Sequence, residues 1–70
     1  MPDKILKKFG SHLKELRLNQ NLSQIELANK GKFDRNYIGM LERGERNPSL
    51  KNLARIAEAL GIDLTTLLKF

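Results

Sequence analysis

The 70-residue sequence contains no cysteine or tryptophan, only two prolines and a single histidine. Without cysteine the chain can form neither a disulfide framework nor a thiolate cluster, and one histidine cannot build a structural zinc site, so we expect no metal. That residue, His12, is predicted to be solvated. Long apolar runs are also missing, and lysines alternate with apolar residues near the N-terminus, which excludes a membrane span and a signal peptide. These absences predict a soluble, cytoplasmic protein.

Acidic residues are the minority: 13 lysines and arginines stand against 8 aspartates and glutamates, giving a formal net charge of +5. Such a surplus on a small chain favours a polyanionic partner, and solubility is the alternative explanation. No Ser/His/Asp, Cys/His or paired-carboxylate arrangement is evident, and helix caps and surface pairs account for the acidic residues. We therefore expect a binding protein without enzymatic activity, cofactor or small-molecule ligand.

Three helices are predicted in the first two-thirds of the chain. Apolar residues recur at three- and four-residue steps from residue 3 to about residue 19, which is the pattern of an amphipathic helix. Ser23 and Glu26 have the spacing of a capping box and begin a second, short helix. Gly31 is expected to end it in a left-handed or otherwise strained conformation, and Asp34 is the predicted cap of a third helix.

Two further helices are predicted in the remainder of the chain. Gly44 ends the third helix, Ser49 caps a fourth, and Gly61 stops it. A short fifth helix at about residues 63–69 carries more apolar surface than it needs for packing, in Leu64, Leu67, Leu68 and Phe70. We predict a single all-α domain over residues 1–70, which dimerises through the end of the fourth helix and through the fifth, with those four residues at the interface.

Residues 23–43 have the pattern of a helix-turn-helix, in which two short helices are joined by a tight turn. Such a unit presents its second helix to the base edges of double-stranded DNA in the major groove. Arg35, Asn36 and Met40 lie opposite the apolar stripe of that helix and suit guanine, adenine and a thymine methyl group respectively. We predict that all three contact bases, although Met40 could instead fill a gap in packing.

Other side chains head the second helix or flank the third, where phosphate oxygens would lie. We predict phosphate contacts for Gln24, Tyr37, Arg43, Arg46 and Asn47. Simple solvation is the alternative for these polar residues. The apolar residues of the unit face the other way and are predicted to form its core, namely Leu27, Phe33, Ile38 and Leu41.

Six short motifs occur in order along the chain: Ser23-Gln24, Glu26-Leu27-Ala28, Tyr37-Ile38, Leu41-Glu42-Arg43-Gly44, Asn47-Pro48-Ser49-Leu50 and Ile56-Ala57-Glu58-Ala59-Leu60. Together they resemble the phage-repressor and Cro (Xre-type) family of helix-turn-helix proteins, over roughly residues 9–68. Residues 34–38 with Arg43 and residues 46–47 are most similar to the controller proteins of restriction-modification systems. The resemblance implies a five-helix, lambda-repressor-like fold that binds operator DNA as a symmetric dimer, with the third helix as recognition helix and no catalytic activity or cofactor.

The resemblance also assigns a structural role to two charged residues. An arginine late in the first helix of this family pairs with a glutamate near the end of the third, so Arg17 and Glu42 are expected to form an ion pair. The chain departs from the family at the turn, where Lys32 replaces the usual glycine and Gly31 stands one position early. Either Lys32 is left-handed, at a cost of ~1–2 kcal/mol, or the helix ends sooner and Gly31 takes that conformation.

These patterns predict a sequence-specific, DNA-binding transcriptional regulator that acts as a homodimer. Twofold symmetry predicts a pseudo-palindromic operator with half-sites about one helical turn, ~34 Å, apart. The resemblance to controller proteins allows activation, repression or both, and makes RNA polymerase a further candidate partner. The alternative is an antitoxin-like or adaptor module that uses its apolar C-terminal surface mainly to bind another protein.

Overall fold

A computed structural model describes residues 3–70 of the chain. It contains five α-helices, which are α1 (Lys4–Asn19), α2 (Gln24–Gly31), α3 (Arg35–Glu42), α4 (Leu50–Leu60) and α5 (Leu64–Leu67). There is no strand among the described residues, and the prediction of an all-α, five-helix fold is confirmed. The predicted domain also includes residues 1 and 2, which lie outside the described part. None of the helices in residues 3–70 is long and apolar enough to cross a membrane.

The first four helices begin where a side-chain oxygen accepts a backbone N–H of the first turn. These caps are Asp3, Ser23, Asp34 and Ser49. At α2 the capping box is complete, because Ser23 Oγ accepts the Glu26 N–H at 3.0 Å and the Glu26 carboxylate accepts the Ser23 N–H at 2.8 Å. The hydrogen bonds with Ser23 hold the pKa of Glu26 below its usual value. The predicted helix starts at the second, third and fourth helices are therefore confirmed.

The core lies where the apolar faces of the five helices meet. Its buried members are Phe9, Leu13, Leu27, Ala28, Ile38, Leu41, Ile56, Ala57, Leu60 and Leu67. Three of the four predicted core residues are completely buried, whereas Phe33 is half-buried and packs against the edge of this cluster. Each fully buried leucine or isoleucine contributes roughly 1.5–3 kcal/mol by removal from water. Since α3 packs against both α1 and α2, its orientation is held from two sides.

At the turn between α2 and α3 the structure shows the first of the two alternatives, in which Lys32 takes the left-handed conformation. Gly31 is the last helical residue of α2, and Lys32 is left-handed at φ 59° and ψ 43°. Gly31 is needed for space instead, since a Cβ there would lie 2.5 and 2.6 Å from two ring carbons of Phe33. The ring thus packs on the helix backbone, and the strain of the turn, ~1–2 kcal/mol, falls on Lys32.

The C-terminal segment corrects two further predictions. Leu67 is completely buried, so it anchors α5 to the core and offers no surface to a partner. His12 is half-buried rather than solvated: its Nε2 lies 2.9 Å from the Thr66 carbonyl oxygen, and its ring contacts Phe70 with centroids 5.8 Å apart. A residue of α1 therefore holds the end of the chain against the rest of the fold.

Candidate nucleic-acid interface

The polar face of α3 begins immediately after its cap. Arg35 and Asn36 lie in the first turn and are exposed, and neither side chain donates a hydrogen bond to any other residue of the described range 3–70. Met40, further along the helix, is half-buried, so only part of its side chain reaches solvent. The first turn of α3 therefore projects two side chains that can donate hydrogen bonds to base edges.

The opposite end of α3 is attached to α1 by an ion pair. Arg17 Nε donates to Glu42 Oε2 at 2.6 Å and Nη2 donates to Oε1 at 3.0 Å, while the two side chains are only 7% and 3% exposed. Arg17 Nη1 also donates to the Leu22 carbonyl at 2.8 Å. The hydrogen bonds to Glu42 raise the pKa of Arg17 in spite of its burial. The pair thus ties α1 and the loop before α2 to the end of the exposed helix.

Gly10 is a second support for this end of α3, and the sequence analysis did not single it out. A Cβ at Gly10 would lie 2.5 Å from the Leu41 carbonyl oxygen and 2.6 Å from that of Glu42. These are backbone atoms that cannot rotate away, so only glycine permits α1 to cross α3 this closely. The crossing fixes the distance between the two helices.

Gln24 lies at the start of α2, beside the carboxylate of Glu42. Its Nε2 donates to Glu42 Oε1 at 3.0 Å, which holds the exposed amide against α3. A Cβ at Gly39 would lie 3.3 Å from Gln24 Oε1 and 3.2 Å from Arg43 Nη1. Glycine within a helix costs ~1 kcal/mol relative to alanine. Here the missing side chain leaves room for Gln24 and Arg43 to lie over α3.

Tyr37 joins the first turn of α3 to the turn before it and to α4. Its ring stacks on that of Phe33, with centroids 5.2 Å apart, and the Arg46 guanidinium lies 5.8 Å from the ring centroid. Its hydroxyl oxygen accepts a hydrogen bond from Asn52 Nδ2 at 2.9 Å. The hydroxyl proton is not used in that bond, so it is free to be donated to a phosphate oxygen.

Arg43 and Glu45 form an exposed ion pair just beyond α3. Arg43 Nε and Nη2 donate to the two carboxylate oxygens of Glu45 at 2.9 and 3.2 Å, and the side chains are 59% and 53% exposed. The hydrogen bond from Arg43 lowers the pKa of Glu45. Glu45 occupies the paired Nε and Nη2 donors of Arg43, so a phosphate that binds this edge of the guanidinium competes with Glu45, and its negative charge offsets that of Arg43.

An apolar groove of about 160 Å³ opens beside this loop, between the start of α1, the start of α4 and the C-terminal residues. It is lined by Ile5, Leu6, Phe9, Asn47, Pro48, Leu53, Leu68 and Phe70. Leu68 and Phe70 are 42% and 47% exposed, and Leu50, in the first turn of α4, is 69% exposed. Leu60, at the far end of α4, is buried. Exposed apolar surface is therefore present at the start of α4, and dimerisation through the end of α4 stays a prediction.

The predicted residues thus fall into three places. The base-contact candidates share α3, the phosphate-contact candidates border it at both ends, and Asn47 lies between them and the apolar groove. Asn52 and Arg55 also support the interface from α4, yet the sequence analysis passed over both. Their three-residue spacing shows that they share a face of α4, but only the tertiary structure shows that this face meets the turn before α3.

Two short helices, a tight turn and an exposed, cation-flanked second helix define a helix-turn-helix DNA-binding domain. A helix-turn-helix family model matches residues 13–67, which is most of the chain. The control protein C.BamHI of Bacillus amyloliquefaciens is 43% identical over 63 residues, which are 89% of this chain and 78% of that protein.

Solved structures show the same relationship. The restriction-modification controller protein C.AhdI of Aeromonas hydrophila is 48% identical, with a TM-score of 0.87 over 89% of this chain and 94% of that one. The controller protein C.Esp1396I, solved as a tetramer with its natural 35-base-pair operator, is 31% identical, with a TM-score of 0.88 over 96% and 88%.

The chain belongs to the helix-turn-helix family of the Xre type, and its similarity to restriction-modification controller proteins confirms the resemblance found in the sequence. It is a DNA-binding transcriptional regulator and not an enzyme.

Proposed function

We propose that this protein controls a restriction-modification system by binding a pseudo-palindromic operator as a dimer, with α3 of each copy in the major groove. The observation that carries the proposal is the exposed first turn of α3, where Arg35 and Asn36 project from a helix anchored by a buried ion pair. Base readout requires side chains that are exposed on a support that does not move, and this arrangement supplies both. The similarity to operator-binding and control proteins supports the same function.

In this proposal the base contacts come from three residues of α3. Arg35 donates to guanine O6 and N7, Asn36 makes a paired contact with adenine, and the exposed part of Met40 touches a thymine methyl group. Each good polar pair discriminates against the wrong base by ~1–3 kcal/mol. Met40 contributes less, because its side chain is only partly exposed.

The phosphate contacts border α3 on both sides. Tyr37 contacts phosphate from the first turn of α3, where Arg46 lies near its ring, whereas Gln24, held against Glu42, and Arg43 do so from the end of the helix. Asn47 adds a contact from the loop that follows. These contacts set the register of α3 without reading sequence, and they release counterions, so affinity falls steeply as salt rises.

Dimerisation is proposed to cover the apolar groove. Leu68 and Phe70 remain candidates from the sequence analysis, together with the half-buried Leu64. The groove adds Ile5 and Leu53, two apolar residues that a solvated monomer would leave partly in water. The proposal requires the twofold axis of this dimer to place its two α3 helices about one DNA turn, ~34 Å, apart. Regulation in the cytoplasm, by activation, repression or both, then involves RNA polymerase as a third partner.

The test is selection of binding sites from randomised duplexes with the purified protein at physiological salt. Enrichment of a twofold-symmetric sequence with half-sites one turn apart supports the proposal. Arg35→Ala should lose the preference at one position with no change in Tm, whereas Arg46→Ala should weaken all sequences alike and reduce the salt slope by about one.

Binding without enrichment, by a protein that stays monomeric on its own, would contradict the proposal. It would favour the second candidate, an adaptor whose apolar groove binds a different protein.

A further inference from the structure

Arg55, on α4, contacts the turn between α2 and α3 through both its polar and its planar surfaces. Its Nη2 donates to the carbonyl oxygens of Gly31 at 2.7 Å and of Lys32 at 2.9 Å. The guanidinium carbon lies 4.2 Å from the centroid of the Phe33 ring. One side chain thus contacts three consecutive residues of the turn, although they lie 22, 23 and 24 positions before it in sequence.

The turn needs such a support for two reasons. Lys32 is left-handed, a conformation that is strained for any residue with a Cβ. The carbonyl groups at the end of a helix also have no partner within it. Arg55 donates to the carbonyls of Gly31 and Lys32, and its positive charge is favourable at the C-terminal end of the α2 dipole.

The contact continues from the turn into α3. Phe33, between Arg55 and Tyr37, is stacked on the ring of Tyr37 in the first turn of α3. Asn52 completes the link, because its Nδ2 donates to the Tyr37 hydroxyl while its Oδ1 accepts from Arg55 Nη1 at 3.3 Å. One face of α4 therefore contacts the turn and the segment of α3 that carries Arg35.

We propose that Arg55 is a positioning residue for DNA recognition: it holds the left-handed turn at Lys32 and, through Phe33 and Tyr37, sets the orientation of the first turn of α3. The inference rests on the proposed function, since it concerns how α3 reads bases. A planar guanidinium is required, because it donates to two carbonyls while lying over a ring, whereas the ammonium of lysine is a compact point charge.

The first test needs no DNA. The chain has one tyrosine and no tryptophan, so its intrinsic fluorescence reports only Tyr37. The HN–Hα coupling and Cα chemical shift of Lys32 report its left-handed φ. In Arg55→Lys, with the positive charge retained, we expect both signals to change while circular dichroism still shows a folded helical protein. Unchanged signals at Lys32 and Tyr37 would overturn the proposal.

The second test compares operator and random duplex, using the operator selected with the unaltered protein. Arg55→Lys and Arg55→Gln should each lose affinity for the operator by roughly tenfold, the size of effect expected for coupling through packed neighbours. Their affinity for random DNA and the salt slope of Arg55→Lys should stay unchanged. Lys51→Gln removes another exposed cation from α4 and is the matched control, with no loss of specificity expected.

A rescue experiment separates positioning from a direct phosphate contact. Glycine adopts a left-handed turn without strain, so Arg55→Lys should cost much less operator affinity in the Lys32→Gly background than in the original one. If Arg55 contacts phosphate instead, Arg55→Lys retains binding, Arg55→Gln weakens all sequences equally, and the glycine background changes neither result. That outcome overturns the inference but leaves the proposed function intact. Absence of any selected operator overturns the proposed function and the recognition role together, whatever the spectra show.

Discussion

The two ends of α3 are held in different ways. Its C-terminal end is fixed by a buried ion pair between Arg17 and Glu42 and by the close crossing at Gly10. Its N-terminal end rests on exposed or half-buried contacts, in which Arg55, Phe33 and Tyr37 lie against one another at the surface. The buried end therefore carries stability, while the exposed end carries Arg35 and Asn36, the two polar residues proposed to contact bases. A substitution that removes a contact at the C-terminal end of α3 should destabilise the fold. A substitution at the N-terminal end should mainly change the DNA-binding specificity.

The largest effect is expected for Arg17→Met. It leaves the Glu42 carboxylate buried without its partner, which costs ~3–5 kcal/mol in comparable buried pairs. Because 1 kcal/mol shifts Tm by ~4–8 °C in a domain of this size, the Tm of the variant should fall by ~12–40 °C. Thermal unfolding followed by circular dichroism measures this. The double variant Arg17→Met/Glu42→Leu should recover much of the loss, and a double variant less stable than the single one would refute the explanation.

The second-largest loss of stability is expected for Gly10→Ala. The added Cβ would meet two backbone oxygens at 2.5 and 2.6 Å, so α1 and α3 must separate, at about 1–3 kcal/mol for overpacking. Gly39→Ala is the matched control, because its Cβ meets only the ends of Gln24 and Arg43 and alanine is the better helix former. Chemical denaturation should show a clear loss for the first variant and little or none for the second. Equal losses would mean that the close crossing has no special role.

Tyr37→Phe tests the exposed end with a smaller change. It removes the hydroxyl that accepts from Asn52, so stability should fall by only ~0.5–1.5 kcal/mol. If the hydroxyl proton is donated to phosphate, Tyr37→Phe should also bind all duplexes more weakly. Asn52→Ala keeps the hydroxyl but removes both this hydrogen bond and the one from Arg55, so the two variants are compared on random duplex DNA, where the orientation of α3 for base contacts does not matter. Titration of both variants with duplex DNA should show a greater loss for Tyr37→Phe, and an equal loss would argue against the phosphate contact.

Glu45→Gln should have the smallest effect on stability, because the pair with Arg43 is exposed at both partners. The pKa of Glu45 is lowered by Arg43, so the pair is present at neutral pH and is lost only as pH falls through that lowered value. Removing the charge at pH 7 frees Arg43 for phosphate, and binding to specific and random DNA should strengthen alike. Unchanged affinity in a titration at fixed salt would indicate that Arg43 does not contact the backbone. Glu15→Gln, which removes an exposed acid on α1, is the control.

The helix starts were predictable because their causes are local. A capping side chain satisfies N–H groups two or three residues away, so Ser23, Asp34 and Ser49 could be recognised from spacing alone. The α2–α3 turn was not predictable in the same way. Gly31 and Lys32 could each have taken the left-handed position, and the choice depends on where the ring of Phe33 packs.

The exposure of Asn36 also followed from periodicity, since Asn36 lies opposite the buried Ile38 and Leu41, whereas Arg35 is three positions before Ile38 and its exposure is seen only in the structure. The contacts that hold α3 in place could not be predicted from periodicity. Glycine at position 10 carries no sign of its role, because the atoms that exclude a side chain there belong to a helix 31 and 32 residues further along. Arg55 likewise resembles any exposed cation on an amphipathic helix until α4 is placed against the turn.

The apolar residues at the C-terminus are a further case in which the sequence predicts a feature and the structure shows how each residue is used. Composition alone indicated more apolar surface in Leu64, Leu67, Leu68 and Phe70 than a short helix requires. The structure divides this set, because Leu67 enters the core while Leu68 and Phe70 border the apolar groove with residues of α1 and α4. The sequence by itself determined the five helices, the helix-turn-helix and its polar face, because periodicity and capping act within a few residues. Only the tertiary structure decided which glycine provides space, which residue bears the strain and which arginine supports the turn, because those contacts join segments distant in sequence.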